Sequence, residues 1–76
     1  MRKYLEAVEI PPEGAPEDYV PEFIRLDATD VDESLVLQDL KEMLSPDKQY
    51  VIRRHYCYHD EEPNRPCEVE VIEEIA

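Results

Sequence analysis

Apolar and polar residues alternate along this chain at two periods, and each change of period marks a change of element. From Arg2 to Ile10, Tyr4, Val8 and Ile10 fall on one side of a strand with Glu6 among them. An amphipathic helix through Met1, Tyr4, Leu5 and Val8 also fits; strand is the assignment adopted, ended by Pro11 and Pro12, which have no N–H for a ladder. Residues 11–21 hold four prolines, Gly14 and three acids, a loop longer than a tight hairpin requires.

Phe23 to Leu26 forms a short strand that leads into a helix start. Thr29 or Asp30 is the expected N-cap, with Asp32 or Glu33 three residues on as its reciprocal partner. Asp30, Asp32 and Glu33 then lie at the positive end of the helix dipole. The helix runs to about Leu44. Its buried stripe is Val36, Leu40, Met43 and Leu44 with Leu37 flanking, and Ser45-Pro46-Asp47 stops it.

The period then returns to two. Gln49 to His59 puts Tyr50, Ile52, Tyr56 and Tyr58 on one side, interrupted by Arg54, and Val51, Arg53, His55, Cys57 and His59 on the other. After a turn region at 60–66, Cys67 to Ile75 puts Cys67, Val69, Val71 and Ile75 on one side and Glu68, Glu70, Ile72 and Glu74 on the other. The order β-β-α-β-β predicts a single small α+β domain over 1–76, an antiparallel sheet with one helix packed on one face.

Register of the last hairpin bears on chemistry. The hydrophobic and charge patterns both favour even positions of the first strand opposite odd positions of the second, so that Tyr56 and Tyr58 meet Val69 and Cys67 under the helix. Arg53, His55, Cys57 and His59 then share the outer face with Glu68, Glu70 and Glu74. This register places Cys57 and Cys67 on opposite faces and argues against a bridge between them. Free thiols, a disulfide and metal ligation all stay open for the pair.

Charge changes the picture most. Twenty Asp and Glu stand against eight Lys and Arg, a net charge of -12 on 76 residues. Mean hydropathy of -0.63 leans toward disorder, but 42% hydrophobic residues at regular periods favour a folded chain. Residues 4–24 carry six acids and no base, and residues 60–76 carry seven acids and Arg65. Residues 49–59, with Arg53, Arg54, His55 and His59, have no acid, which is most simply explained by cross-strand pairing with acidic neighbours. Such a surface favours basic partners and disfavours direct contact with nucleic acid or anionic membrane. Glu6 and Glu9 interrupt the apolar run a signal peptide would need after Arg2 and Lys3, and no apolar stretch approaches the roughly 20 residues of a membrane span. The expected location is cytoplasmic.

His55, Cys57 and His59 are the one suggestive constellation. Positions two apart on a strand project from one face about 6.7 Å apart, and zinc accepts imidazole and thiolate. The fourth ligand would be Glu68 or Glu70 in the favoured register, or Cys67 in the other. Histidines that simply pair with carboxylates explain the same residues more economically. A Cys57 nucleophile lacks an orienting third group and an oxyanion turn. A calcium loop begun at Asp30 fails at Leu35, where glycine is needed, and at Lys41, where a bidentate Glu is needed. A chain with one glycine has no phosphate cradle.

The function expected is therefore a non-enzymatic acidic module that binds a basic surface of a partner protein. Such a partner includes a nucleic-acid-binding protein inhibited by mimicry of phosphates. Contacts are assigned to Glu68, Glu70 and Glu74 of the last strand, to Glu17, Asp18 and Tyr19 of the Pro-rich loop, and to Glu61 and Glu62, with Phe23 as a further aromatic anchor. The alternative is a small zinc-binding protein built on His55, Cys57 and His59; otherwise no cofactor is expected. Monomer and homodimer both fit, with Tyr4 to Ile10 and the last strand as candidate sheet edges.

Overall fold

The computed structural model describes residues 2–57 and 67–75. Four strands and one helix follow in the order expected: β1 (Arg2–Glu9), β2 (Phe23–Asp27), α1 (Glu33–Glu42), β3 (Tyr50–Cys57) and β4 (Glu68–Ile75). The strands form one antiparallel sheet in the order β2-β1-β3-β4, an α+β fold. Strand β1 is interior, so the edges are β2 and β4; Tyr4 to Ile10 is not an edge available to a second copy. No helix among the described residues is long and apolar enough to cross a membrane.

Helix α1 packs over β1 and β2. The core holds Leu5 and Ala7 of β1, Ala28, Leu40, and Tyr50 and Ile52 of β3, all with no exposed surface. Val36, Leu37 and Leu44 of the helix side and Ile24, Leu26, Ile72 and Ile75 of the sheet close around it. Tyr50 and Ile52 take the helix-facing side that their alternation predicts. In β1 the buried side is Leu5 and Ala7, while Tyr4, Glu6 and Val8 turn to the sheet's other face. Met43 does not join the buried stripe: it is the C-cap, where the chain leaves helical geometry, and it is 53% exposed.

The helix cap is Asp32, not Thr29 or Asp30. Its side chain accepts hydrogen bonds from the Ser34 N–H at 3.0 Å and from the Ser34 hydroxyl at 2.7 Å, which hold its carboxyl below the usual value. Asp30 has a positive φ of 56°, whereas an N-cap needs extended φ and ψ, as Asp32 has at -68° and 111°. Thr29 is occupied elsewhere: its hydroxyl accepts from the Lys3 N–H at 2.9 Å and donates to the Lys3 carbonyl at 3.2 Å. That pairing ties the start of β1 to the turn before the helix.

A β-bulge reorganises the last hairpin. From Tyr50 to Ile52 the partners are Ile75, Glu74 and Glu73, the register expected; from Arg53 to Tyr56 they are Val71, Val69-flanking Glu70, Val69 and Glu68. Ile72 is the extra residue between the two registers, and beyond it every β4 side chain changes face. Val69 and Val71 therefore lie opposite His55 and Arg53 and are 50% and 55% exposed, rather than under the helix. Ile72 and Ile75 take the core positions instead.

Candidate functional site

On the sheet face away from α1, an acid is buried in a nest of cations. Glu6 of β1 stands between Arg25 of β2 and Arg53 of β3, directly opposite both in the ladders. Its Oε1 accepts from Arg25 Nη2 at 3.2 Å and lies 2.8 Å from His55 Nδ1, while its Oε2 accepts from Arg53 Nη2. The Glu6 side chain is only 1% exposed, against 34% and 39% for the arginines and 17% for His55. Burial alone would raise its pKa, but hydrogen bonds from Arg53 and His55 and the charges of Arg53 and Arg25 outweigh it and hold the carboxyl below the usual range.

The geometry also fixes the His55 ring. Nδ1 lies 2.8 Å from Glu6 Oε1 and 3.2 Å from Arg25 Nη2. A guanidinium only donates and a carboxylate only accepts, so Nδ1 cannot serve both. The shorter contact assigns the Nδ1 proton to Glu6, which puts the lone pair of the Nε2-unprotonated tautomer on Nε2. Tyr4 packs against His55 with ring centroids 6.4 Å apart at an angle of 69°. Arg25 lies over both Tyr4 and Phe23, 5.4 and 5.3 Å from the ring centroids. Phe23, assigned as a partner anchor, is half-exposed but already stacked under this arginine.

Two residues along the same face, Cys57 is joined to Cys67, with Cα atoms 4.4 Å apart. This corrects the expectation of cysteines on opposite faces: the bulge at Ile72 carries the shifted register through to Cys67, opposite Cys57. One ring nitrogen of His55 and the sulfurs of Cys57 and Cys67 lie within 4.8 Å of one another. Cys57 is 5% exposed and Cys67 is half-buried. Cys67 thus replaces Glu68 and Glu70 as the residue that completes the cluster, because Tyr56↔Glu68 and Arg54↔Glu70 pair on the helix side. His59, Glu61, Glu62 and the 60–66 turn lie outside the described residues.

The carboxylates assigned to a partner do not form one row. Glu70 accepts from Arg54 Nη1 at 3.0 Å on the helix side, whereas Glu74 lies opposite Val51 on the other face. The bulge separates them: Glu68, Glu70 and Glu73 lie opposite Tyr56, Arg54 and Ile52 on the helix side, and Glu74 alone of the β4 acids faces the other way. Arg54, which breaks the apolar side of β3, is explained by Glu33: Nε and Nη2 donate to its two carboxylate oxygens at 2.5 and 2.6 Å. In the Pro-rich loop, Glu17 and Asp18 are exposed. Tyr19 is half-buried and its hydroxyl donates to Glu9, which raises its own pKa and lowers that of Glu9.

A second polar knot lies at that end of the sheet. Glu9, 4% exposed, also accepts from the Glu22 N–H at 2.9 Å. Lys48 reaches Glu22 at 3.1 Å and Glu9 at 3.7 Å, and the Tyr50 hydroxyl donates to Glu22 at 3.1 Å. Beside it, a cleft of about 500 Å³ opens between Pro11–Glu13, Tyr19 and Asp47–Gln49. Another depression, of about 410 Å³, runs along Ser34, Leu37, Gln38, Lys41 and Glu42.

Periodicity missed the buried pair of acids, Glu6 and Glu9, because it scores an acid as solvent-facing. The signal available was position: Glu6 sits midway along a strand, and Arg53 and Arg54 lie on another with no acid of its own. No family model matches the chain, and neither curated proteins nor solved structures give a match.

Proposed function

We propose that this protein is a non-enzymatic acidic module that docks on a basic surface of a partner protein. The observation that carries it is how charge is partitioned. Lys3, Arg25, Lys41, Lys48, Arg53 and Arg54 each make an ion pair with an acid of the same chain. Glu13, Glu17, Asp18, Asp30, Asp39, Glu42, Asp47 and Glu74 are exposed, and none makes an ion pair among the described residues. Of the Lys and Arg among the described residues, all but the exposed Arg2 are paired with acids of the same chain, and the surplus of anions faces outward, where it raises the encounter rate with a basic partner and sets orientation.

The outer side of α1 supplies the contact area. Leu35, Asp39, Glu42 and Met43 follow one another at i, i+4, i+7 and i+8, with Val31 just before the helix. Val31, Leu35 and Met43 are 53%, 61% and 53% exposed. Apolar side chains set among unpaired acids suit a partner helix or loop that mixes Lys or Arg with aliphatic residues. Glu68, Glu70 and Glu74 do not make one row for phosphate mimicry, since Glu74 lies on the face opposite the other two.

The test is retention of partners by the immobilised full chain, eluted in steps of rising salt, beside an Asp39→Lys/Glu42→Lys double variant. A basic protein retained by the native chain, released at moderate salt and lost with the variant is the expected result. Retention that neither salt nor charge reversal weakens would overturn the reading, as would no retention at all.

A further inference from the structure

We propose that reduction of the Cys57–Cys67 bridge opens a zinc site made by His55, Cys57 and Cys67. The three ligand groups share one sheet face and already lie within 4.8 Å of one another. Zinc–sulfur bonds of about 2.3 Å and a zinc–nitrogen bond of about 2.0 Å place tetrahedral ligand atoms roughly 3.4–3.8 Å apart. Freed from their mutual bond, the sulfurs need only separate to that distance, and the imidazole, with one ring nitrogen already within 4.8 Å of them, must turn to meet them. Donors of this type, two thiolates and an imidazole, favour zinc over magnesium or calcium.

A second feature belongs to a metal site rather than to a plain bridge. His55 is not a loose surface ring: Glu6 holds its Nδ1 at 2.8 Å, and Arg53 and Arg25 hold Glu6 in turn. That chain of contacts leaves Nε2 as the donor to the metal, the arrangement in which a carboxylate orients a ligating histidine from behind. Glu6 is thus a positioning residue. Among the described residues the cluster offers three ligands, and the proposal gives the fourth position to water.

The chemistry balances with a small-molecule or protein dithiol as reductant. The dithiol transfers two electrons and two protons to the bridge, giving two thiols, and is itself oxidised to a disulfide. Zinc then displaces the two thiol protons to solvent and binds both thiolates and Nε2. An oxidant reverses the sequence and releases the ion. The bridge and the metal are alternative closures of the same β3–β4 hairpin, so each redox state keeps the hairpin fastened.

The test uses the purified full chain, oxidised and dithiol-reduced, titrated with Co²⁺ and then Zn²⁺. The reduced chain is expected to bind one Co²⁺ with a thiolate-to-cobalt charge-transfer band and tetrahedral d–d absorption, both abolished by one equivalent of Zn²⁺. The oxidised chain should show neither band. His55→Ala should weaken the reduced site at least tenfold, and Glu6→Gln by roughly 10–100-fold. Far-ultraviolet circular dichroism of each sample separates loss of ligand from loss of fold. Equal binding by the oxidised chain, cobalt bound without the charge-transfer band, or a folded His55→Ala chain binding as tightly as the native one would overturn the proposal. So would the absence of stoichiometric binding by the reduced native chain, a comparison that needs no variant.

Discussion

Arg54 of β3 grips Glu33 in the first turn of α1 through two parallel hydrogen bonds, 2.5 and 2.6 Å long. This pair fastens the helix to a strand that lies beyond the two it covers. Both side chains are largely shielded, 20% and 28% exposed, so the bidentate contact is screened less than a surface pair. Lys3 adds a weaker contact to Glu33 at 3.8 Å.

Arg54→Met should therefore cost about 1.5–3 kcal/mol at neutral pH, the usual range for a hydrogen-bonded charge. The hydrogen bond from Arg54 is the main cause that holds the Glu33 carboxyl below its ordinary 4.5. A depressed folded-state value means that the contribution is complete above that ordinary value and is lost as pH falls through the lower folded one. Urea unfolding of both chains at neutral and acidic pH checks this: the penalty should shrink on acidification, and a constant penalty would contradict it.

Glu6→Gln leaves two guanidiniums facing a neutral amide in a site where the acid had no exposed surface. The arginines keep about a third of their surface, so the expected loss is about 2–3 kcal/mol rather than the larger cost of a dry pair. Chemical denaturation measures it. A loss below half a kcal/mol would show that water already shares this carboxylate.

The Cys57–Cys67 bridge closes a loop with a sequence separation of 10. Chain-entropy arguments give about 2–3 kcal/mol for a loop of that size. Cys57→Ser should lower the thermal midpoint of the metal-free chain, and a dithiol should lower that of the native chain by the same amount. A reductant-insensitive midpoint would mean the bridge is not formed in solution.

Capping separates two acids that flank Val31. Asp32→Ala should cost about 1 kcal/mol, since it removes the acceptor for the Ser34 N–H. Asp30→Gly should change stability by no more than about 0.5 kcal/mol, because glycine takes the left-handed conformation without steric cost but loses more entropy on folding. Thermal unfolding of the two variants decides which residue caps the helix.

Which parts were legible follows from the range over which each signal acts. Pro11-Pro12, the acidic helix start and Ser45-Pro46 act on their own backbone, so the β-β-α-β-β order could be read directly. The Asp30-for-Asp32 difference is local too, but it turns on a backbone angle that composition does not carry. At the candidate site, His55 and Cys57 were visible as a pair on one strand face. Cys67 was open as a ligand only in the less favoured register, since its side depends on one extra residue, Ile72, five positions away.

The sequence by itself determined the elements, the sheet-and-helix class and the excess of negative charge, because periodicity, proline and composition are properties of short stretches. Tertiary structure alone decided where the charges meet. Strand order set Glu6 between Arg25 and Arg53, and the bulge at Ile72 sent Val69 and Val71 outward and brought Cys67 to Cys57. The physical reason is that strand pairing has a side-chain period of two: one inserted residue exchanges the faces of everything beyond it, and no local pattern records whether that residue is paired or bulged.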